Sequence, residues 1–370
     1  MSMINHSVRG FGSPSRYYQG RYILDELKEY TAPYGKKVFI LVDTFFYATY
    51  KEKFEKMYDD GESQVIVQEF KGEITAEKID AIADGVKDFC PEVVAGMGGG
   101  KTMDTAKAVA DKFKAATVII PTTASTDAPA IGLSVIYTAE GEHVGARHYI
   151  KNPDMILLDT EIIAKAPIRF LVAGMGDALS TYIETRANAE SHSPNYVTKG
   201  FCATIAVQAI AKACHETILK KGVSAKLAAE KGLCTIDVED VIEANSLLSG
   251  LGVQNSSCAG AHSIAEGITV LPACKRLLHG EAVAFGVLVQ LIIEGRSKEE
   301  IKEMYDFFKE VGLPATFEDL GIKDVTPEEL MLVAEESMKS YWDVEPFPVT
   351  PQMVYDAMVM ADTLGQKYNK

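Results

Sequence analysis

Hydrophobic positions change their rhythm once along this chain. Up to about residue 160, short apolar runs alternate with amphipathic ones. KVFILVD, QVIVQEF, EVVAGMG and ATVIIPT read as strands, separated by helix-like stretches such as TAEKIDAIADGVKDF. Strands alternating with helices predict a mainly parallel sheet covered on both faces. LSVIYTAEGEHVGARHYI then reads as a hairpin turning at Glu140-Gly141, and DMILLD as one further strand. Beyond Pro167 the β-rich runs stop. Alanine- and leucine-bearing stretches such as SPNYVTKGFCATIAVQAIAKACHETILKK and IEANSLLSGLGVQ predict a helical second part. The pattern divides the chain into an α/β domain over 1–166 and a helical domain over 167–370, with no Pro/Gly/Ser linker. The two are expected to pack directly, around a cleft bordered by the carboxyl ends of the strands, where open α/β sheets bind ligands.

One strand runs into a glycine cluster and then a helix, VVAGMGGGKTMDTAKAVA. Glycines let backbone N–H groups approach an anion, and the start of a helix favours negative charge. Two familiar phosphate motifs fail on spacing. A triphosphate P-loop needs a glycine five residues before Gly100, where Ala95 stands; in the fingerprint G-x-G-x-x-G, Lys101 takes the third glycine's place. A diphosphate cradle remains, open between ATP and NAD, with a glycine turn used for packing alone as the competing reading.

Composition narrows the setting. The chain has 370 residues and a formal net charge of −15 with no polybasic run, which argues against nucleic acid or an anionic membrane as the main partner. The N-terminus, MSMINHSVRGFGSPSRYY, lacks the apolar core of a secretory signal. Runs such as AVAFGVLVQLII fall short of the ~18 residues of a membrane span. Cys90, Cys202, Cys214, Cys234, Cys258 and Cys274 form no C-x-x-C pair and read as buried thiols in a reducing compartment. These features predict a soluble cytoplasmic protein.

Polar residues at strand ends carry candidate chemistry. Asp43 closes VFILVD, where a carboxylate accepts ribose hydroxyls and favours NAD over NADP; an N-cap is the plain alternative. Thr122, Thr123, Ser125, Thr126 and Asp127 follow the strand ATVIIP, either as phosphate, ribose and substrate contacts or as a Ser/Thr-rich turn. In the helical half, Asp177 in AGMGDALSTYIE is expected near a helix start. His262 in SSCAGAHSIAEG and His279 in LLHGEAVAFGV are expected in, and just ahead of, small-residue or apolar helices. Two histidines and a carboxylate make a three-ligand divalent site with an open position, although no short spacing joins these three. His6, His143, His148, His192 and His215 have no comparable context.

Together GMGGGKTMDTAKAVA, PTTASTDAPAIGLSVIYT, GMGDALSTYIETRANAES, AGAHSIAEG and LLHGEAVAFGV resemble, in their order, the bacterial glycerol dehydrogenases. These belong to the metal-dependent alcohol dehydrogenase superfamily that also includes dehydroquinate synthase. The resemblance spans essentially the whole chain and implies an N-terminal α/β Rossmann-like domain with a mainly parallel sheet plus an all-α C-terminal domain. It assigns Asp177, His262 and His279 to zinc. It lines an NAD site with Asp43, Gly99, Gly100, Lys101, Thr102, Met103, Asp104, Thr122, Thr123, Ala124, Ser125, Leu133 and Tyr137, and points Asp127 at the polyol. The implied activity is NAD-dependent oxidation of glycerol and related vicinal diols to ketones such as dihydroxyacetone, in a homo-oligomer that is often an octamer.

One departure discriminates within the superfamily. Iron-type members resemble D-x-x-x-H at this point, whereas this chain has Asp177-Ala178-Leu179-Ser180-Thr181. Dehydroquinate synthases resemble a glutamate-led metal triad with a basic pocket. Asp177 and the scarcity of Lys and Arg near the motifs argue against that lyase, and the same scarcity weakens the alternative of a glycerol-phosphate dehydrogenase. Two other classes stay open: a carbocycle-forming lyase, which would use NAD without net turnover, and a nucleoside-triphosphate enzyme or noncatalytic nucleotide-binding module, which should prefer ATP to NAD.

Overall fold

The computed structural model describes residues 8–195, 197 and 200–368. They form two compact units. One comprises Gly12–Ala124 and Ala128–Ala166; the other contains Ser125–Asp127 and the chain from Pro167 onward, joined by residues 8–11.

The first unit holds eight strands: β1 Arg16–Gly20, β2 Lys37–Asp43, β3 Gln64–Phe70, β4 Val93–Gly98, β5 Ala116–Pro121, β6 Leu133–Tyr137, β7 His143–His148 and β8 Met155–Asp159. Its helices are α1 Leu27–Thr31, α2 Thr44–Met57, α3 Ala76–Gly85, α4 Gly100–Phe113 and α5 Thr160–Ala164. Six strands pair in parallel in the order β1-β8-β5-β4-β2-β3. Strand residues alternate between two apolar layers. Val38, Ile40 and Val42 join Leu24, Leu27 and Phe54, whereas Phe39 and Leu41 join Ile79, Ile82, Met103 and Val109. Both faces are therefore buried, which is why these strands read as continuous apolar runs.

The strand order fixes the place where this sheet can bind a ligand. From β2 the chain passes through α2 to β3 on one side; from β4 it passes through α4 to β5 on the other. The crossovers diverge between β2 and β4, so Asp43 and the glycine loop both sit at the switch point. β6 and β7 form a separate antiparallel hairpin whose tight turn uses Gly141 at φ 85°.

Among the described residues the second unit is helical: α6 Ile168–Ser191, α7 Ile205–Ala229, α8 Ile236–Glu243, α9 Ser249–Ser256, α10 Gly260–Gly267, α11 His279–Ile293, α12 Lys298–Val311, α13 Pro327–Ser337 and α14 Pro351–Tyr368. Thr204, Thr235, Ser297 and Thr326 cap α7, α8, α12 and α13 by accepting a backbone N–H. No helix among the described residues is long and apolar enough to cross a membrane.

Two sequence expectations need correction. Asp177 is not near a helix start: α6 begins at Ile168, and the aspartate lies in its interior. Gly174 and Gly176 are buried within the helix, and at Gly176 the missing side chain admits a neighbouring backbone. The thiols are also not uniformly buried. Cys202, Cys214, Cys258 and Cys274 are, but Cys90 is exposed in a left-handed turn (φ 50°) and Cys234 is half-buried.

Candidate functional site

Asp177, His262 and His279 come from α6, α10 and α11, and the structure brings their ligand atoms within 4.8 Å of one another. Close helix packing makes this possible. A Cβ on Gly280, next to His279, would meet the main chain of α6 at Ala173 and lie 3.1 Å from the Asp177 nitrogen. A Cβ on Gly176 would strike the Gly280 carbonyl in return. The glycine pair thus lets two helices approach at the point where each carries a candidate ligand.

The Asp177 carboxylate is buried, with Oδ2 accepting the Asp127 N–H at 3.1 Å. Its Oδ1 has no hydrogen-bond partner and lies 3.6 Å from His262 Nε2 and 3.5 Å from His279 Nε2. The two Nε2 atoms are 3.3 Å apart. Burial raises the Asp177 carboxyl's affinity for a proton, but His279 and His262 outweigh it and hold the group below its ordinary value. An orphaned buried carboxylate oxygen facing two imidazole nitrogens is a donor set that fits a divalent cation. Access is one-sided, because the His279 side chain is 47% exposed while those of His262 and Asp177 are buried. Thr181, where iron-type members resemble a histidine, instead bonds Ser249 Oγ at 2.8 Å and packs on Gly252 of α9.

Two residues at this centre escaped the sequence reading. Glu184 lies two helical turns after Asp177 on the same face of α6. Its Oε2 is 2.8 Å from His262 Nδ1, and Oε1 accepts the N–H groups of Ala259 and His262. Cys258 completes a second buried cluster with Glu184 and His262. The seven-residue spacing from Asp177 to Glu184 was the available signal. The other histidines among the described residues are placed elsewhere: His143 and His148 on β7, His192 at the end of α6, and His215 against the Tyr182 ring on α7. His6 lies outside the described residues.

At the switch point of the sheet the glycines divide into two kinds. Gly96 and Gly98 serve protein packing, since a Cβ on the first would sit 2.6 Å from Ala106 Cβ and on the second 2.9 Å from Asp43 Cβ. Gly99 and Gly100 are different. A Cβ at either meets nothing within 4 Å, and neither has positive φ, so protein packing and backbone conformation leave both glycines unexplained. Open space ahead of a helix start is the cradle an anion requires. Lys101 is exposed there and pairs with Glu73.

Asp43 both closes β2 and caps α2 by accepting the Phe45 N–H at 2.9 Å, so the plain reading holds for one of its oxygens. Thr123, Ser125, Leu133 and Tyr137 are partly exposed, whereas Thr102, Met103, Asp104, Thr122 and Ala124 are buried. Asp104 is committed to the protein. Its Oδ1 accepts from Lys107 Nζ at 3.0 Å and its Oδ2 from the Val135 N–H at 2.9 Å. Lys107, also buried, donates further to the carbonyls of Ala128 and Leu133. This buried pair fastens the start of the hairpin to α4.

A doubly wound sheet with two open glycines at its switch point, followed in the chain by helices gathering Asp, His and His, defines a class. Residues 14–160 match the family of iron-containing alcohol dehydrogenases, and the chain is an oxidoreductase of this metal-dependent alcohol dehydrogenase class. It is 43% identical to the glycerol dehydrogenase of Thermotoga maritima over 357 residues, covering 95% of this chain and 96% of that one. The structure of a probable glycerol dehydrogenase from Sinorhizobium meliloti superposes with a TM-score of 0.90 at 40% identity, covering 97% and 99% of the two chains. That of the Schizosaccharomyces pombe glycerol dehydrogenase superposes at 0.91 with 37% identity, covering 97% and 92%. The chain belongs to the glycerol dehydrogenase family.

Proposed function

We propose that the protein oxidises glycerol to dihydroxyacetone, and related vicinal diols to their ketones, with NAD as hydride acceptor and zinc as the metal. The observation that carries this reading is the unpartnered Asp177 Oδ1 facing two imidazole nitrogens. Asp177, His262 and His279 would hold zinc, which when bound serves as a Lewis acid toward a substrate hydroxyl. Three protein ligands on a one-sided site leave coordination positions for a diol. NAD, when bound, takes the hydride at C4 of its nicotinamide.

The chain's own residues supply binding and orientation. The open positions at Gly99 and Gly100, with the α4 N-terminus and Lys101, support pyrophosphate binding. Asp43 would accept from a free ribose hydroxyl and repel a 2′-phosphate. Thr123, Ser125, Leu133 and Tyr137 would line the cofactor directly. The buried Thr102, Met103, Asp104, Thr122 and Ala124 would support that wall from behind. Asp127 would accept a hydrogen bond from a glycerol hydroxyl, its backbone already tied to Asp177. The same reading includes a cytoplasmic homo-oligomer, with the family resemblance pointing to an octamer.

The test is NADH formation by zinc-loaded protein across glycerol, 1,2-propanediol, ethylene glycol and plain alcohols. Vicinal diols should be turned over well above ethanol. An equal rate for ethanol and glycerol would remove the diol argument, and ATP binding in preference to NAD would remove the dehydrogenase.

A further inference from the structure

We propose that Glu184 is a positioning residue: it fixes the tautomer of His262 so that the Nε2 lone pair is presented to the metal. This rests on the metal reading above. The Glu184 carboxylate is fully buried and makes three contacts to one short segment. Oε1 accepts the N–H of Ala259 at 2.8 Å and of His262 at 3.0 Å, and Oε2 faces His262 Nδ1 at 2.8 Å. The first two contacts do the work of a helix cap, because the N-cap of α10 is Ala259, whose methyl cannot accept a hydrogen bond.

The third contact concerns the ring. A carboxylate has no proton to donate, so the proton of a neutral His262 resides on Nδ1. Nε2 then carries the lone pair, directed at the space it shares with Asp177 Oδ1 and His279 Nε2. A metal binds only that unprotonated nitrogen, and the partner of the other nitrogen decides which one it is.

A cap alone and a tautomer lock are separated by Glu184→Gln. Its amide oxygen keeps both backbone N–H groups, and the shape of the side chain is retained. Its amide nitrogen takes the place of Oε2 and can only donate. Nδ1 must then accept, which moves the ring proton to Nε2 and occupies the lone pair the metal needs.

The experiment uses the full-length, metal-free protein with 15N-labelled histidine, brought to a pH high enough to neutralise the His262 ring, whose proton affinity the flanking carboxylates raise; the ring shifts then report which nitrogen keeps its proton. Zinc affinity is measured in parallel against a chromophoric chelator. The expected result is an Nδ1–H tautomer for His262 in the wild type and an Nε2–H tautomer in Glu184→Gln. The variant should melt near the wild-type midpoint and bind zinc about 10–100-fold more weakly. An Nε2–H tautomer in the wild type overturns the proposal whatever the variant does, as does a Glu184→Gln protein with unchanged tautomer and affinity. His262→Ala distinguishes the two levels. If it binds zinc as tightly as wild type, the metal reading fails, while the tautomer result is still read from the spectra.

Discussion

Replacing Gly280 by alanine tests how helix packing assembles the centre. The new Cβ would lie 2.6 Å from the Ala173 carbonyl carbon and 3.1 Å from the Asp177 nitrogen, with the Ala173 oxygen nearer still. All three are main-chain atoms, so no side chain can swing away. Restoring an ordinary contact of about 3.4 Å to the carbonyl carbon requires α11 to retreat from α6 by at least ~0.8 Å. His279 moves with it, and ligand sites tolerate displacements of only about 0.2 Å. Overpacking of this kind costs about 1–3 kcal/mol; a Gly→Ala change in a helix returns roughly 0.5–1. A net loss of ~1 kcal/mol should lower the melting midpoint by ~2–4 °C. Zinc affinity, measured by chelator competition, should fall at least tenfold. Gly85→Ala is the control, since its Cβ meets nothing within 4 Å. A Gly280→Ala protein that keeps both midpoint and zinc affinity would refute the packing argument.

Three further outcomes are expected. Gly100→Ala should leave the melting midpoint unchanged while raising the KM for NAD about tenfold or more, because its Cβ enters open space and not protein; an unchanged KM removes the anion cradle. Asp127→Ala should cost glycerol about 1.5–3 kcal/mol, roughly 10–150-fold in kcat/KM, and cost 1,2-propanediol less because that diol lacks the third hydroxyl; equal losses would assign Asp127 another role. Glu345 is buried, and burial, aided by Glu294 and Glu184, outweighs the Gly260 N–H and Arg296 and pushes its pKa up to about 8. Because the folded value is raised, its contribution to stability is fully present below the unfolded value near 4.3 and is lost as pH rises through about 8. Glu345→Gln should therefore gain stability relative to wild type at pH 9 compared with pH 4, and a pH-independent difference in urea unfolding would contradict this.

Much of the first unit was legible because its physics is local. Buried parallel strands announce themselves as apolar runs, and Gly141 marks its hairpin turn by a backbone conformation that suits glycine. The loop at Gly99 and Gly100 was visible for the same reason. The metal centre was harder, since its three candidate ligands sit on three helices whose meeting depends on tertiary packing. The interior place of Asp177 in α6 was not legible, because the close approach of Gly176 to Gly280 that brings the neighbouring helix in enters only in the fold. Glu184 had a spacing signal but no chemical one; its role appears only when the N-terminus of α10 comes to rest on it. Asp104 shows the converse: it stands in a motif implied to line a cofactor, yet its carboxylate is occupied by Lys107 and Val135.

The most direct test of the central claim is a zinc titration of rigorously metal-free protein, in the presence of glycerol and NAD, followed by NADH absorbance. The rate should be near zero without metal and rise to saturation at one zinc per chain; His279→Ala should give no comparable rise. A full rate in the metal-free protein, or a rise that His279→Ala does not alter, would contradict it.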